Sequence, residues 1–240
     1  MLEQVATETL QEKVYIAIKD SIMRNDLLPG QPLSTDELAR DLGVSPTPVR
    51  EALTRLSADG LVERARNKTA LVAKITAEDV RQVYEVRKLL EPYAASLVAK
   101  KLSTASNLEE SLRAIIEEAE EIQEILPSAT KSLTSSQYET YLEIDLRLQE
   151  VILEALGDTL LGKVLSSVGN HSLRIRSFAE ASVDLSKGKI LYNVNREHLM
   201  IIRAILDVNL VEVQEIVRQH LNNAERRTLE SIGELETSDR

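Results

Sequence analysis

Two short amphipathic segments joined by one glycine constrain this chain more than anything else in it. Ser34 opens the first, with Glu37 three residues on as its capping-box partner, and Leu38, Ala39 and Leu42 supply a buried face. Gly43 makes the turn. Ser45 caps the second segment, Pro46 takes the first helical position, and Pro48 still lies in the first turn, where a missing N–H costs no intrahelical bond. Val49, Ala52, Leu53 and Leu56 give its apolar face. Helix, short glycine turn, helix is a helix-turn-helix pattern. Ahead of it, residues 7–26 read as a helix with Leu10, Val14, Ile18 and Ile22 at fourfold spacing, ended by Leu28-Pro29-Gly30. After Gly60 the period changes. Residues 61–64 and 70–73 are β-like runs on either side of Arg66-Asn67-Lys68-Thr69, which predicts a two-stranded wing.

From Thr76 onward the pattern is helical throughout. The spacing predicts helices over 77–101, 105–126, 136–156, 159–181, 188–206 and 210–232, with a polar loop over 131–136 and tight turns at Gly157-Asp158 and Asp207-Val208-Asn209. Pro92 is expected to bend the first of these helices without ending it. With eight Gly, six Pro and one Phe (Phe178) in 240 residues, an all-β fold is excluded. The predicted fold is mainly α. A winged helix-turn-helix domain over about 1–75 precedes an all-helical antiparallel bundle over about 76–240.

The net charge of −10 is unevenly placed: residues 1–75 are close to neutral, and the acidity lies in the C-terminal two-thirds. Arg50, Arg55, Arg64, Arg66 and Lys68 make the neighbourhood of the second short helix and wing locally attractive to phosphate. The absence of cysteine excludes a disulfide scaffold, thiol catalysis and Cys-based zinc sites. No signal-peptide pattern opens the chain, and no stretch approaches the ~18 apolar residues of a membrane span. The expected location is the cytoplasm.

Leu28-Pro29-Gly30, Leu33, Glu37-Leu38-Ala39, Leu42-Gly43-Val44-Ser45, Thr47-Pro48-Val49-Arg50-Glu51-Ala52-Leu53, Leu56 and Gly60-Leu61-Val62 resemble the winged helix of GntR-type bacterial transcriptional regulators. The remainder is similar to the all-helical ligand-binding (FCD-type) domain of the FadR-like branch. There Glu85, Arg87, Leu90-Glu91 and Ala94-Ala95 match the opening pattern, and Asp145, His198 and His220 match later positions. The resemblance implies a double-stranded DNA operator as partner. The major groove admits a helix whose N-terminal residues reach base edges and phosphates. Arg50 is the candidate for a guanine edge or a phosphate, Ser45 and Thr47 for phosphate, and Lys68 and Thr69 at the wing tip for a neighbouring groove. Three departures from the family pattern stand out. Pro46 and Thr69 replace the usual Arg and Gly, and Asp36 puts an anion where some relatives carry Arg. They imply an altered operator sequence and modest affinity per monomer.

His198 and His220 are 22 residues apart, about 33 Å on one straight helix. Their midpoint is Asn209, in a predicted turn, so an antiparallel helix pair brings the two imidazoles level. Asp145 and Gln149 are i, i+4 and share a face of another helix. A carboxylate with two imidazoles suits a divalent transition metal such as Zn, Ni, Mn or Fe. The metal-binding relatives carry Asp, a His four residues later and two further His; Gln149 stands in place of the first His and is at best a weak neutral ligand. Reflection about Gly157-Asp158 puts His171 near Asp145, where it would compensate as a ligand or face the effector. Tyr84, Arg87 and Glu91 share a helical face. Arg87 either holds an effector carboxylate or pairs with Glu91 at i, i+4 spacing.

These readings imply a metabolite-responsive regulator, most simply a repressor. It would bind a pseudo-palindromic operator as a homodimer and respond to a small organic acid held in the helical domain at or near a metal. The rival reading is a metal-dependent enzyme using Asp145, His198 and His220. Two further rivals are a structural core of hydrogen-bonded histidines and a winged helix used for protein contacts.

Overall fold

The computed structural model describes residues 9–64, 69–126, 135–182 and 188–238. They divide into two compact units. One comprises residues up to Thr76 with Leu173–Phe178; the other comprises Ala77–Ser172 and the residues from Ala179 on.

In the N-terminal unit, α1 (Leu10–Met23) is capped by Thr9, whose hydroxyl accepts from the Glu12 amide at 3.3 Å. It buries Val14, Tyr15, Ile18 and Ile22. The helix stops three residues short of the predicted end. Asn25 takes φ +60°, and the Leu27 amide turns back to the Ser21 carbonyl at 3.1 Å. Asn tolerates this left-handed conformation better than most residues. In α2 (Thr35–Asp41) Ser34 accepts from the Glu37 amide at 3.4 Å, which is one half of the expected capping box. Leu42, expected in the buried face, is 36% exposed. It is the C-cap, and Gly43 (φ +67°) swings the chain away immediately after it.

The second helix of the motif, α3 (Pro46–Ala58), buries Val49, Ala52, Leu53 and Leu56 as its spacing predicts. Tyr15 ties it to α1: the phenol donates to Asp59 Oδ2 at 2.7 Å, and the Arg55 guanidinium lies 3.8 Å over its ring. Burial, then the bond to Asp59, pushes the phenol pKa up to about 12.

The wing contains β2 (Val62–Arg64) and β3 (Ala70–Val72), paired antiparallel. A third strand that the sequence did not announce, β1 (Pro32–Leu33), joins the free edge of β3 to give the order β1-β3-β2. Two residues carry no alternation to read, and the proline is tolerated because β1 is an edge strand. Ile18, Ile22, Leu33, Val49, Leu56, Val62 and Val72 meet in one core.

The second unit is helical among its described residues: α4 (Ala77–Lys101), a 3₁₀ turn over Leu102–Thr104, α5 (Ser106–Ile125), α6 (Ser135–Leu156), α7 (Leu160–Ser182), α8 (Gly188–Leu206) and α9 (Leu210–Ser238). Each corresponds to a segment predicted from periodicity. One differs by more than a residue at one end: α9 runs past 232, to Ser238. The 3₁₀ turn delays the start of α5 by a single residue. Helix α6 begins at Ser135, inside the predicted polar loop; residues 131–134 of that loop lie outside the described residues. Pro92 is buried and α4 passes through it. Helix α9 packs along α4 and α8, and α5 along α6 and α8. Leu112, Ile115, Ile144, Ile202, Ile205 and Leu221 fill the space between them. Among the described residues no helix is long and apolar enough to cross a membrane.

Candidate functional site

The first turn of α3 is where the helix-turn-helix meets solvent. Pro48 and Val49 turn inward, which leaves Ser45, Thr47 and Arg50 exposed. Ser45 occupies the N-cap position, but its hydroxyl makes no capping bond, so the expected side-chain cap is not formed. Pro46 lacks an N–H, and Pro48 removes the N–H at the third helical position that a cap would have used. Arg50 makes no ion pair or hydrogen bond with its side chain among the described residues, whereas Arg55, one turn on, is bound to Glu12 at 2.5 Å. Three polar side chains, one of them a free cation, are thus presented from the N-terminus of a helix, where N–H groups also favour anions. Asp36 is exposed on α2, and Thr69 is half-buried beside β3. Lys68 lies outside the described residues.

Inside the helical unit, three helices bring Asp145 (α6), His198 (α8) and His220 (α9) together. Asp145 and His198 are each 4% exposed, with Asp145 Oδ1 3.4 Å from His198 Nε2. The two imidazole centroids are 4.9 Å apart with planes tilted by 55°. Gln149 is exposed, and its amide nitrogen is 3.5 Å from Asp145 Oδ2, too long for a good bond. His171 is half-buried on α7, and no hydrogen bond or ion pair joins it to Asp145, His198 or His220. The reflection that placed it level with Asp145 says nothing of which way it faces.

This donor set suits a divalent metal chemically. A separation of 3.4 Å exceeds the ~2.7–2.9 Å of a charge-assisted hydrogen bond. It is close to the ~3.3 Å expected between two ligands on one tetrahedral ion with bonds of about 2.0–2.1 Å. As the side chains stand, no three carboxylate or imidazole groups among the described residues are disposed around one point.

His220 is oriented by a carboxylate that the sequence reading did not single out. Glu197 Oε2 accepts from His220 Nδ1 at 2.8 Å and from Arg227 at 3.2 Å, while its Oε1 accepts from Asn223 at 2.7 Å. Burial pushes the Glu197 carboxyl up, and His220 and Arg227 together outweigh that and hold it at about 2. A proton on Nδ1 leaves Nε2 as the imidazole's free electron pair, the usual arrangement of a metal-ligating or ligand-accepting His.

Arg87 on α4 binds Glu91 through Nε at 2.5 Å, as the i, i+4 spacing allowed, and reaches Ser172 on α7 at 2.8 Å. Its guanidinium lies 4.9 Å from the Tyr84 ring centroid. The intrahelical pair is therefore formed. The side chain is largely buried, with Glu91 as its carboxylate partner.

Two family descriptions match the chain. The one for bacterial regulatory proteins of the gntR family covers residues 10–72, and the one for the FCD domain covers residues 82–223. The HTH-type transcriptional regulator LutR of Bacillus subtilis (strain 168) is 30% identical over 226 residues, 85% of this chain and 94% of that protein. An HTH-type regulator from the TAR-I ttuE-ttuC' intergenic region of Agrobacterium vitis is 41% identical over 85 residues, 35% of this chain; the match spans half of that relative's length. Among solved structures, Escherichia coli McbR/YncC has the same fold, with a TM-score of 0.68 at 18% identity over 98% of this chain and 100% of that one. Family and relatives indicate a transcriptional regulator. The chain belongs to the GntR family of bacterial regulatory proteins, as a DNA-binding transcriptional regulator with an FCD domain behind its helix-turn-helix.

Proposed function

We propose that this regulator is a repressor released by a small organic acid bound inside the FCD domain. The observation that carries this reading is the burial of Asp145 and His198 with His220 beside them, drawn from three separate helices, within a domain attached to a DNA-reading head. Two carboxylate–imidazole contacts buried side by side are expensive to maintain for packing alone. The operator contacts fall to Ser45, Thr47 and Arg50 on α3, with Thr69 and Lys68 from the wing. Two such heads on half-sites one helical turn apart require a two-fold dimer, which the helical domain supplies.

Some FCD domains bind metal. Here Asp145, His198 Nε2 and His220 Nε2 would hold a divalent ion such as Zn, Ni or Mn, with Gln149 as a weak fourth donor. When bound, that ion supplies a Lewis-acid anchor for a carboxylate. Glu197 fixes the His220 ring, and Arg87, if released from Glu91, offers a bidentate clamp for the same carboxylate. His171 on α7 is assigned to the effector rather than to the metal. The acid works by binding one arrangement of the two heads better than the other, and that difference in affinity limits the shift in DNA binding.

The test is a DNase footprint of the purified protein on the DNA flanking its own gene, at low and moderate salt. Two protected half-sites ~10–10.5 base pairs apart, lost on adding an organic acid, are the expected result. No protection even at low salt, where phosphate contacts are strongest, rejects it.

A further inference from the structure

One helical turn before His198, α8 carries Asn195, which is 0% exposed. Its Nδ2 donates twice to α5, to the Ala119 carbonyl at 2.7 Å and to Gln123 Oε1 at 2.7 Å. Those two bonds fix both amides. Reversing Asn195 would set its oxygen against the Ala119 carbonyl oxygen, and reversing Gln123 would face one NH₂ with another. Two buried atoms are then left without a partner, Asn195 Oδ1 and Gln123 Nε2, an acceptor and a donor. Most buried polar groups in native proteins are paired, so an orphaned acceptor and donor on one bonded amide pair call for an explanation.

An O–H group supplies both what Asn195 Oδ1 lacks, a donor, and what Gln123 Nε2 lacks, an acceptor. A carboxylate has no proton to give, an ammonium has no lone pair, and a methyl group has neither. Asn195 and His198 are i, i+3 on α8, so they share a face with about 4.5 Å of axial rise between them. The unpaired amides therefore lie one turn from the Asp145–His198 pair.

We propose that Asn195 and Gln123 form a hydroxyl-reading subsite, and that the effector is a hydroxylated carboxylic acid. The subsite rests on the effector reading above: the carboxylate goes to the Asp145/His198/His220 end and the hydroxyl to the amides. Sites built to hydrogen-bond a hydroxyl discriminate strongly against analogues that lack it, because the buried polar groups stay unpaired.

The experiment is calorimetric titration of the full chain with three pairs of acids that differ only by one hydroxyl: lactate and propionate, malate and succinate, citrate and tricarballylate. For at least one pair the hydroxy acid is expected to bind tenfold or more tightly than its partner. Gln123→Leu removes the donor to the hydroxyl but leaves Asn195 Oδ1 to accept from it, so the variant is expected to lower that ratio at least threefold. Gln123 is only half-buried, so this variant tests the subsite without stripping the Ala119 carbonyl of its donor as Asn195→Leu would. Equal affinities within every pair, or a preference that Gln123→Leu leaves unchanged, overturn the proposal and leave the amides to a buried water. Binding of none of the six acids overturns the effector reading and the subsite together. Binding without discrimination overturns the subsite alone.

Discussion

Glu197 on α8 and His220 on α9 face each other across the helix pair, with the carboxylate 2.8 Å from Nδ1 and both side chains largely buried. Since the carboxylate can only accept, Nδ1 carries the proton, and the ring is held in one tautomer. Asn223 and Arg227, on the next two turns of α9, complete the cage around the same carboxylate. The second imidazole of the site is thus fixed from behind by groups that never touch whatever binds in front.

Glu197→Gln is the first test of that cage. The carboxyl is held at about 2 against an ordinary value of 4.5, so it binds fewer protons in the folded than in the unfolded state at mildly acid pH. Its stabilisation is fully present above pH 4.5 and is lost as pH falls toward 2. After allowance for solvent screening, the variant should be less stable by about 1–2 kcal/mol at pH 7. That gap should narrow as the pH is lowered from 4.5 to 3 in urea unfolding series. A gap that stays constant with pH would mean that the charge of Glu197 contributes nothing and only its shape matters.

Arg50→Ala separates recognition from folding. The side chain is exposed and unengaged among the described residues, so the melting temperature should not move measurably. Operator affinity should fall about tenfold to a hundredfold. If Arg50 holds a phosphate, the slope of log K against log salt should drop by about one; if it reads a guanine, discrimination at one base pair should relax instead. Fluorescence anisotropy on operator and mismatched duplexes distinguishes the two outcomes, and unchanged affinity for both removes Arg50 from the interface.

Val208 closes the α8–α9 turn with φ +53° and is 49% exposed. A β-branched residue in the left-handed region is strained by about 1–2 kcal/mol, and Asn tolerates the same conformation, as Asn25 shows at the end of α1. Val208→Asn should therefore raise stability by about 0.5–1 kcal/mol, read as a higher denaturation midpoint with an unchanged m-value. Because this turn sets the register that brings Glu197 to His220, the substitution should also leave ligand binding intact.

How much of this was legible in the sequence depends on what fixed each contact. The helices were legible because each buries one stripe at regular spacing. Leu42 misled because a C-cap leaves its helix before the stripe repeats. The meeting of α8 and α9 was also legible, since a short turn makes positions equidistant from it level. Reflection about the Val208–Asn209 boundary pairs 197 with 220 directly, a match hidden by attention to the histidines alone. His171 shows the limit of such reflection, which yields height along a helix and not rotation about it. The Asn195–Gln123 pair was out of reach because no short turn joins α5 to α8, so nothing local sets their register.

Gln149 is the residue where chemistry and register part company. It sits i+4 from Asp145, on the same face of α6 and at the solvent edge, where an amide oxygen is a poor donor to a transition metal. Gln149→His places an imidazole there with no core volume to displace. If Asp145, His198 and His220 already surround a metal position, the fourth ligand should tighten Zn or Ni binding by tenfold or more in a competition titration against a chelating dye. Adding His198→Ala and His220→Ala to the same protein should abolish the gain, because the two donors left on α6 cannot retain the ion alone. Tight binding that survives the loss of both histidines would place the metal on the surface of α6, outside the buried cluster. No gain at all would mean that the Asp145–His198 contact is a hydrogen-bonded pair that meets the effector without a metal between them.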